Sequence, residues 1–239
     1  MKDLPHSSKH RRIVLKLSGE FIGGRSRIID RTAIDYTVDQ IVRTQKLGVR
    51  IGIVIGAGNI IRGRDAEWMD KIDADLCGMV GTVINGIALH SMLKERKQNV
   101  KLSSAIALGG IADAFDRFTD LEFYDSGGIL IFIAGTGNPL FTTDTAAALR
   151  AVQLRADVLI KGTKVAGVYS SDPKKNKRAA FYTRLTYDQV IDKRLEVMDL
   201  AAFNICREAA IPIHVYDFMQ HSLFDVVSGK TAGTVISGG

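Results

Sequence analysis

A three-layer αβα sandwich around a mainly parallel central sheet is the fold class this sequence predicts, and three observations predict it. Strand-length apolar runs alternate with amphipathic helical stretches along most of the chain. One run, "ILIFIAG" (129–135), is continuously apolar, as strands buried on both faces of a parallel sheet are. Several runs end in glycine-rich or polar loops, and open α/β sheets bind ligands outside the carboxyl ends of their strands. No repeat and no low-complexity linker divides the chain. The expected organisation is one domain, 12–239, behind a disordered basic tail, 1–11.

The elements follow in order. "IVLKLSG" (13–19) is a strand stopping at a glycine. Residues 30–48 form an amphipathic helix, with Ile34, Val38, Ile41 and Val42 on one face, Asp30 as cap and Gly48 as stop. A second strand (49–59) runs into glycines. The stretch 73–96 is a long helix, apolar around much of its circumference through Cys77, Val80, Val83, Ile84 and Ile87, which predicts burial on two sides. Strands follow at 100–106 and 129–135, then an alanine-rich helix at 145–156 and a strand at 156–163. A polar hairpin and loop (165–180) precede helices at 186–195 and 199–210. A strand (211–218), a short helix (222–229) and a closing strand (233–237) complete the chain.

Bulk properties narrow the function. Of 239 residues, 46% are hydrophobic and 24% charged, ordinary values for a globular protein. Cys77 and Cys206 are far apart in sequence, which argues against a disulfide scaffold and for a reduced compartment. No apolar run approaches the roughly 20 residues of a bilayer span, so the expected location is cytoplasmic, with no membrane partner. Half of the +6 net charge falls in the first twelve residues, on Lys2, Lys9, Arg11 and Arg12 against Asp3. A nucleic-acid surface is therefore weakly signalled, and modest positive charge suits phosphorylated substrates as well. The histidines show no metal-ligand spacing, and no Ser-His-Asp, HExxH or CxxC arrangement occurs.

Four strand ends carry chemistry-bearing residues. In "KLSGE", Lys16 can meet a phosphate and Gly19 lets backbone N–H groups approach it; taken alone, a plain turn after an edge lysine is the more common reading. "GAGNIIRG" places Gly56, Gly58 and Asn59 in a tight turn with Arg62 after it, either an anion site or a structural turn. "GTGNPLFTTD" (135–144) offers Thr142, Thr143 and Asp144 where a helix begins, and Asp144 is a candidate N-cap as well as a functional carboxylate. "KGTKVAGVYSSDP" carries Lys161, Thr163, Lys164, Tyr169 and Asp172, which fit a base and ribose or a basic hairpin.

Taken in order, "KLSGE", "GxGNxxRG", "GTGNPxFTTD", "TKVxGVYxxDP" and "VMDLAAF" resemble the bacterial type of UMP kinase, of the amino acid kinase superfamily, from about residue 12 to the C-terminus. The resemblance implies transfer of the γ-phosphate of MgATP to UMP, in pyrimidine biosynthesis. It implies ATP contacts at Lys16, Leu17, Ser18, Gly19, Gly58, Arg62, Thr163, Tyr169 and Asp172. It implies UMP contacts at Ala57, Asp75, Thr136, Gly137, Asn138, Pro139, Leu140, Phe141, Thr142 and Thr143. Asp144 matches an aspartate that organises lysines near the transferred phosphate; Lys16, Arg62 and Lys161, with Lys164 as the alternative, supply cationic charge. Mg²⁺ arrives with ATP, and a homohexamer built from dimers is implied.

The acceptor phosphate has a second pKa of about 6, so it is largely anionic at neutral pH and needs no general base. The obstacle is repulsion between polyanions, which cations and in-line positioning relieve. Three positions depart from the family pattern. Ala57 replaces a glycine, which requires a negative φ there. Ala166 stands where an aspartate is common. "GGRSRI" (23–28) poorly matches a segment linked to GTP activation, so the resemblance does not carry that property over, while UTP inhibition stays among its implications. Two alternatives share the fold: a kinase acting on a carboxylate or carbamate, and a non-enzymatic nucleotide-binding storage or regulatory protein. Asp75 and "GTGNPLFTTD" argue for the nucleotide acceptor.

Overall fold

The computed structural model describes residues 9–24, 26–61, 66, 68–230 and 232–238. The first part runs β1 (Arg12–Leu17), α1 (Arg31–Gln45), β2 (Arg50–Ile55), α2 (Lys71–Glu95), β3 (Val100–Ser104), β4 (Asp113–Ala114), α3 (Arg117–Asp125) and β5 (Ile129–Ile133). Then come α4 (Thr143–Gln153), β6 (Val158–Thr163), a hairpin of β7 (Val168–Tyr169) and β8 (Phe181–Tyr182), and β9 (Arg184–Thr186). The chain continues through α5 (Tyr187–Asp192), α6 (Leu200–Glu208), β10 (Ile213–Asp217), α7 (Leu223–Val227) and β11 (Thr234–Ser237). Among the described residues nine strands form one sheet, in the order β4-β3-β5-β2-β1-β6-β10-β11-β9. Neighbours pair parallel except β10 with β11.

Side-chain alternation along the strands builds two cores, one on each face. Ile13, Leu15 and Leu17 pack with Ile53, Ile131 and residues of α1, α2 and α7 such as Val38, Leu89 and Val226. Val14 packs with Val54, Phe132 and Leu159 against α3 to α6, through Tyr124, Ala147, Val190 and Phe203. This is the three-layer sandwich expected from the sequence. Lys16 shares the second face with Val14 by the same alternation.

Local chemistry explains the element ends. Asp30 caps α1 by accepting from Ala33 N at 3.0 Å, and Gly48, at φ +75°, supplies the left-handed turn beyond its end. α3 has no counterpart among the expected elements. It is only nine residues long, too short for its apolar residues to show a clear period, but Asp116 caps it and Gly127, at φ +91°, follows its end.

The long helix α2 departs from the expected burial on two sides. Ala74, Met79, Val83, Leu89 and Leu93 are buried, whereas Leu76, Val80, Ile84 and Ile87 are each more than two-fifths exposed. By length and composition α2 could cross a membrane, a match that the expectation from apolar runs does not include. Its inner face packs on β3 and β5 and bonds to the loop after β5, as a layer of a folded domain does. Gly86 permits the approach, since a Cβ there would lie 2.2 Å from Ile133 Cγ2.

The tail expected over 1–11 lies mostly outside the described residues. From Lys9 onward the backbone is bonded: Lys9 N donates to Val227 O, and Arg11 N and Arg12 N to Asp157 Oδ2. His10 precedes β1 and the buried His214 lies near the start of β10, both away from the carboxyl ends of the parallel strands. Burial lowers the pKa of both below 6.5; Lys9 and their mutual proximity add to this at His10, while Asp157 opposes it. His214 Nε2 contacts Ala232 O, which offsets burial only in part. A histidine kept neutral by folding gives stability that is fully present above 6.5 and is lost as pH falls below it. The melting temperature is therefore expected to fall from pH 7 to about pH 5. His214→Gln, which keeps a polar atom near Ala232 O, should flatten that fall; an unchanged slope in the variant would contradict it.

Candidate active site

The carboxyl ends of β1, β2, β5 and β6 converge at the centre of the sheet. β1 and β6 are adjacent and parallel, with Lys16 and Lys161 directly paired in register. Both ammonium groups close on one carboxylate: Lys16 Nζ lies 2.8 Å from Asp144 Oδ1 and Lys161 Nζ 2.6 Å from Asp144 Oδ2. Lys161 also donates to Val197 O. All three side chains are nearly buried, at 11–13% exposure. Burial alone would raise the Asp144 pKa, but the two lysines overcome it and hold the carboxyl at about 2. Burial pulls Lys161 below its ordinary value, and Asp144 opposes that pull. The cluster carries one net positive charge at the N-terminus of α4, a place that receives an anion.

Asp144 is not the cap of α4. Thr142 is: its Oγ1 accepts from Asp144 N at 3.0 Å, and Asp144 lies inside the first turn. In a Thr-Thr-Asp run any of the three residues can cap. The lysines draw the aspartate inward and leave the role to Thr142.

The turns after β1 and β2 lie side by side. Ser18 caps a short 3₁₀ turn (Gly19–Phe21), and Gly56 N donates to Leu17 O at 2.8 Å. Ala57 keeps a φ outside the left-handed region, as its side chain requires. Gly81 of α2 makes room for that methyl, because a Cβ at Gly81 would fall 2.8 Å from Ala57 Cβ. Arg62 lies outside the described residues. Lys164 pairs with Glu20 at 2.5 Å, not with Asp144.

The loop from β5 to α4 is wound tightly. Ala134, Gly135, Gly137 and Leu140 all have positive φ. Ala134 N donates to Thr82 Oγ1 of α2 at 2.7 Å, and Asn138 N to Thr136 Oγ1 at 3.1 Å. Asp75, in the first turns of α2, accepts from Leu140 N at 2.8 Å, which ties the helix to the loop. Pro139 lies between, Leu140 and Phe141 are exposed, and Thr143 faces Gly56.

On the other side of Lys161 opens a cavity of about 840 Å³. Thr163, Tyr169 and Asp172 line it, as do Leu195, Glu196 and Val197, which sequence reasoning did not single out. Thr163 donates to Val165 O, and Tyr169 packs on Phe181 at 5.1 Å. Asp199 is a second omission. It accepts from Thr142 and, at 2.8 Å, from Thr145, and it caps α6 through Ala202 N. Its motif, "VMDLAAF", stands out in the sequence, but only the tertiary contacts tie the aspartate to α4 beyond its local task as the cap of α6.

The family model described as "Amino acid kinase family" matches residues 11–217. The uridylate kinase of Colwellia psychrerythraea is 45% identical over 232 residues, 95% of this chain and 94% of that protein. That of Pseudoalteromonas atlantica is 45% identical over 231 residues, with the same coverage. Among solved structures, the UMP kinase from Bacillus anthracis superimposes with a TM-score of 0.92 at 32% identity, over 95% of this chain and 96% of that one. The UMP kinase from Ureaplasma parvum gives 0.89 at 35% identity, over 96% and 99%.

Proposed function

The chain belongs to the amino acid kinase family, alongside its uridylate kinases, and we propose that it transfers the γ-phosphate of MgATP to UMP, giving ADP and UDP. The observation that carries this reading is the Lys16–Asp144–Lys161 bridge, set between a nucleotide-sized cavity and the Asp75-tethered loop. In this reading ATP occupies the cavity. Its base and ribose lie by Thr163, Tyr169 and Asp172, and its phosphates by Lys16, Leu17, Ser18, Gly19, Gly58 and Arg62. UMP is received by Ala57, Asp75 and residues 136–143, including Thr142 and Thr143.

The chemistry needs charge and position more than proton transfer. The acceptor phosphate is already a nucleophile at neutral pH. Lys16 and Lys161 offset the charge that builds up between the two nucleotides, and Asp144 keeps both ammonium groups aimed at one point. Both oxygens of Asp144 are engaged by lysines. Mg²⁺ would arrive as part of the substrate, with the nucleotide phosphates, where it would add to the charge that Lys16 and Lys161 supply.

The reading extends to a cytoplasmic homohexamer built from dimers, in pyrimidine nucleotide biosynthesis. The exposed stripe Leu76–Val80–Ile84–Ile87 supports self-association, since a second copy would cover it. A monomer by light scattering would remove that part. UTP inhibition is proposed from the family alone, and a flat UTP titration would exclude it.

The decisive experiment is an assay of ADP release with UMP, CMP, carbamate or glutamate as acceptor. UMP-dependent release is expected. Release with carbamate or glutamate but not with UMP would overturn the reading.

A further inference from the structure

Asn85 sits in the middle of α2 and is fully buried. A carboxamide in such a place is costly unless each polar atom finds a partner. Here the matching is complete. Asn85 Nδ2 donates to Gly56 O and to Asn59 Oδ1, both at 2.7 Å. Its Oδ1 accepts from Asn59 Nδ2 at 3.0 Å, and Asn59 Nδ2 gives its other hydrogen to Ile28 O at 2.7 Å. The two side chains form a closed amide pair.

Gly19 is pressed onto that pair. A Cβ at Gly19 would lie 2.1 Å from Asn59 Oδ1, 2.6 Å from Gly56 O and 2.7 Å from Asn85 Nδ2. Three segments therefore meet at one buried contact: the turn after Lys16, the turn containing Ala57, and the end of the 23–28 segment.

We infer that Asn59 and Asn85 are positioning residues for phosphoryl transfer, fixing the Ser18–Gly19 turn against the Gly56–Asn59 turn so that donor and acceptor phosphates lie in line. The inference rests on the kinase reading above. The first turn carries donor contacts, and the second carries one acceptor contact and one donor contact. A misplacement of about 1 Å between reacting groups costs up to about 10²-fold in rate, while each substrate alone can still bind.

The test compares Asn59→Ala, Asn85→Ala and the double variant in the full chain, with kcat and both KM values normalised to folded protein. Each single variant is expected to lose about tenfold or more in kcat, with KM for ATP and UMP within about threefold of wild type. The double variant should be no slower than the worse single, because either change opens the pair. A purely structural role would lower the melting temperature and leave kcat per folded molecule unchanged. Asn59 is only partly buried, in a turn. Its variant thus remains a test where Asn85→Ala does not fold. A smaller kcat loss in Asn59→Ala, or a double-variant loss equal to the product of the singles, overturns the inference. A wild-type chain inactive with ATP and UMP would instead overturn the kinase reading, a result distinct from any of these.

Discussion

Replacing Lys16 with methionine is expected to lower kcat about 10³-fold while leaving the protein folded. Methionine keeps much of the length and apolar stem of lysine and removes the charge. In the wild type Lys16 Nζ lies 2.8 Å from Asp144 Oδ1, and the same carboxylate holds Lys161, which lines the cavity. A site that works by holding preset charge against a developing one loses most when one cation goes, because water excluded from the site cannot replace it. The fold should tolerate the change, since Asp144 retains Lys161 at 2.6 Å and is not left as an unpaired buried charge. A rate assay with MgATP and UMP, beside a melting curve, measures both effects. Turnover near wild type would remove Lys16 from the reaction.

Asp144→Asn is expected to affect rate and stability together. The variant leaves two neighbouring ammonium groups without their shared counter-charge, one of them on the deeply placed Lys161. Breaking a buried pair in this way costs about 3–5 kcal/mol. The sign with pH follows from the carboxyl being held at about 2, below its ordinary 3.8. Its stabilisation is fully present above 3.8 and is lost as pH falls through about 2, so the variant should be less stable than wild type throughout the neutral range. Turnover should fall about 10²-fold without any acidic limb being gained or lost, because Asp144 does not titrate where the enzyme works. On the alkaline side Lys161, already lowered by burial, should lose its proton earlier in the variant. A wild-type pH–rate profile whose acidic limb vanishes in Asp144→Asn would make the aspartate a base and overturn its role as organiser.

The layers of this fold were legible because each rests on a local pattern. Strand "ILIFI" is apolar at every position, and α1 shows its inner face, its Asp30 cap and its Gly48 stop within nineteen residues. What remained hidden depends on distant partners. Lys16 and Lys161 each look like isolated lysines until the sheet order makes β1 and β6 neighbours. Asp199 looks like a helix cap until Thr142 and Thr145 arrive on it. α2 reads as a helix buried on two sides because its sequence is apolar on two sides; one chain supplies a cover for only one of them. Asn59 was visible only as part of a turn, since nothing in its surroundings points to Asn85.

The position of β1 has a consequence for synthesis. It precedes the other described strands in the chain, yet it lies in the middle of the sheet, with β2 on one edge and β6 on the other. While the chain emerges, β2 can cover one edge early. The other edge stays open until β6 appears, after most of the first half-sheet is complete. Such long-range pairing is slow and leaves an exposed strand edge in the meantime. The lysine bridge straddles this late seam, with Lys16 on the early strand, Lys161 on the late one, and Asp144 on the helix between them. The nascent chain thus cannot assemble its lysine bridge until the two half-sheets join.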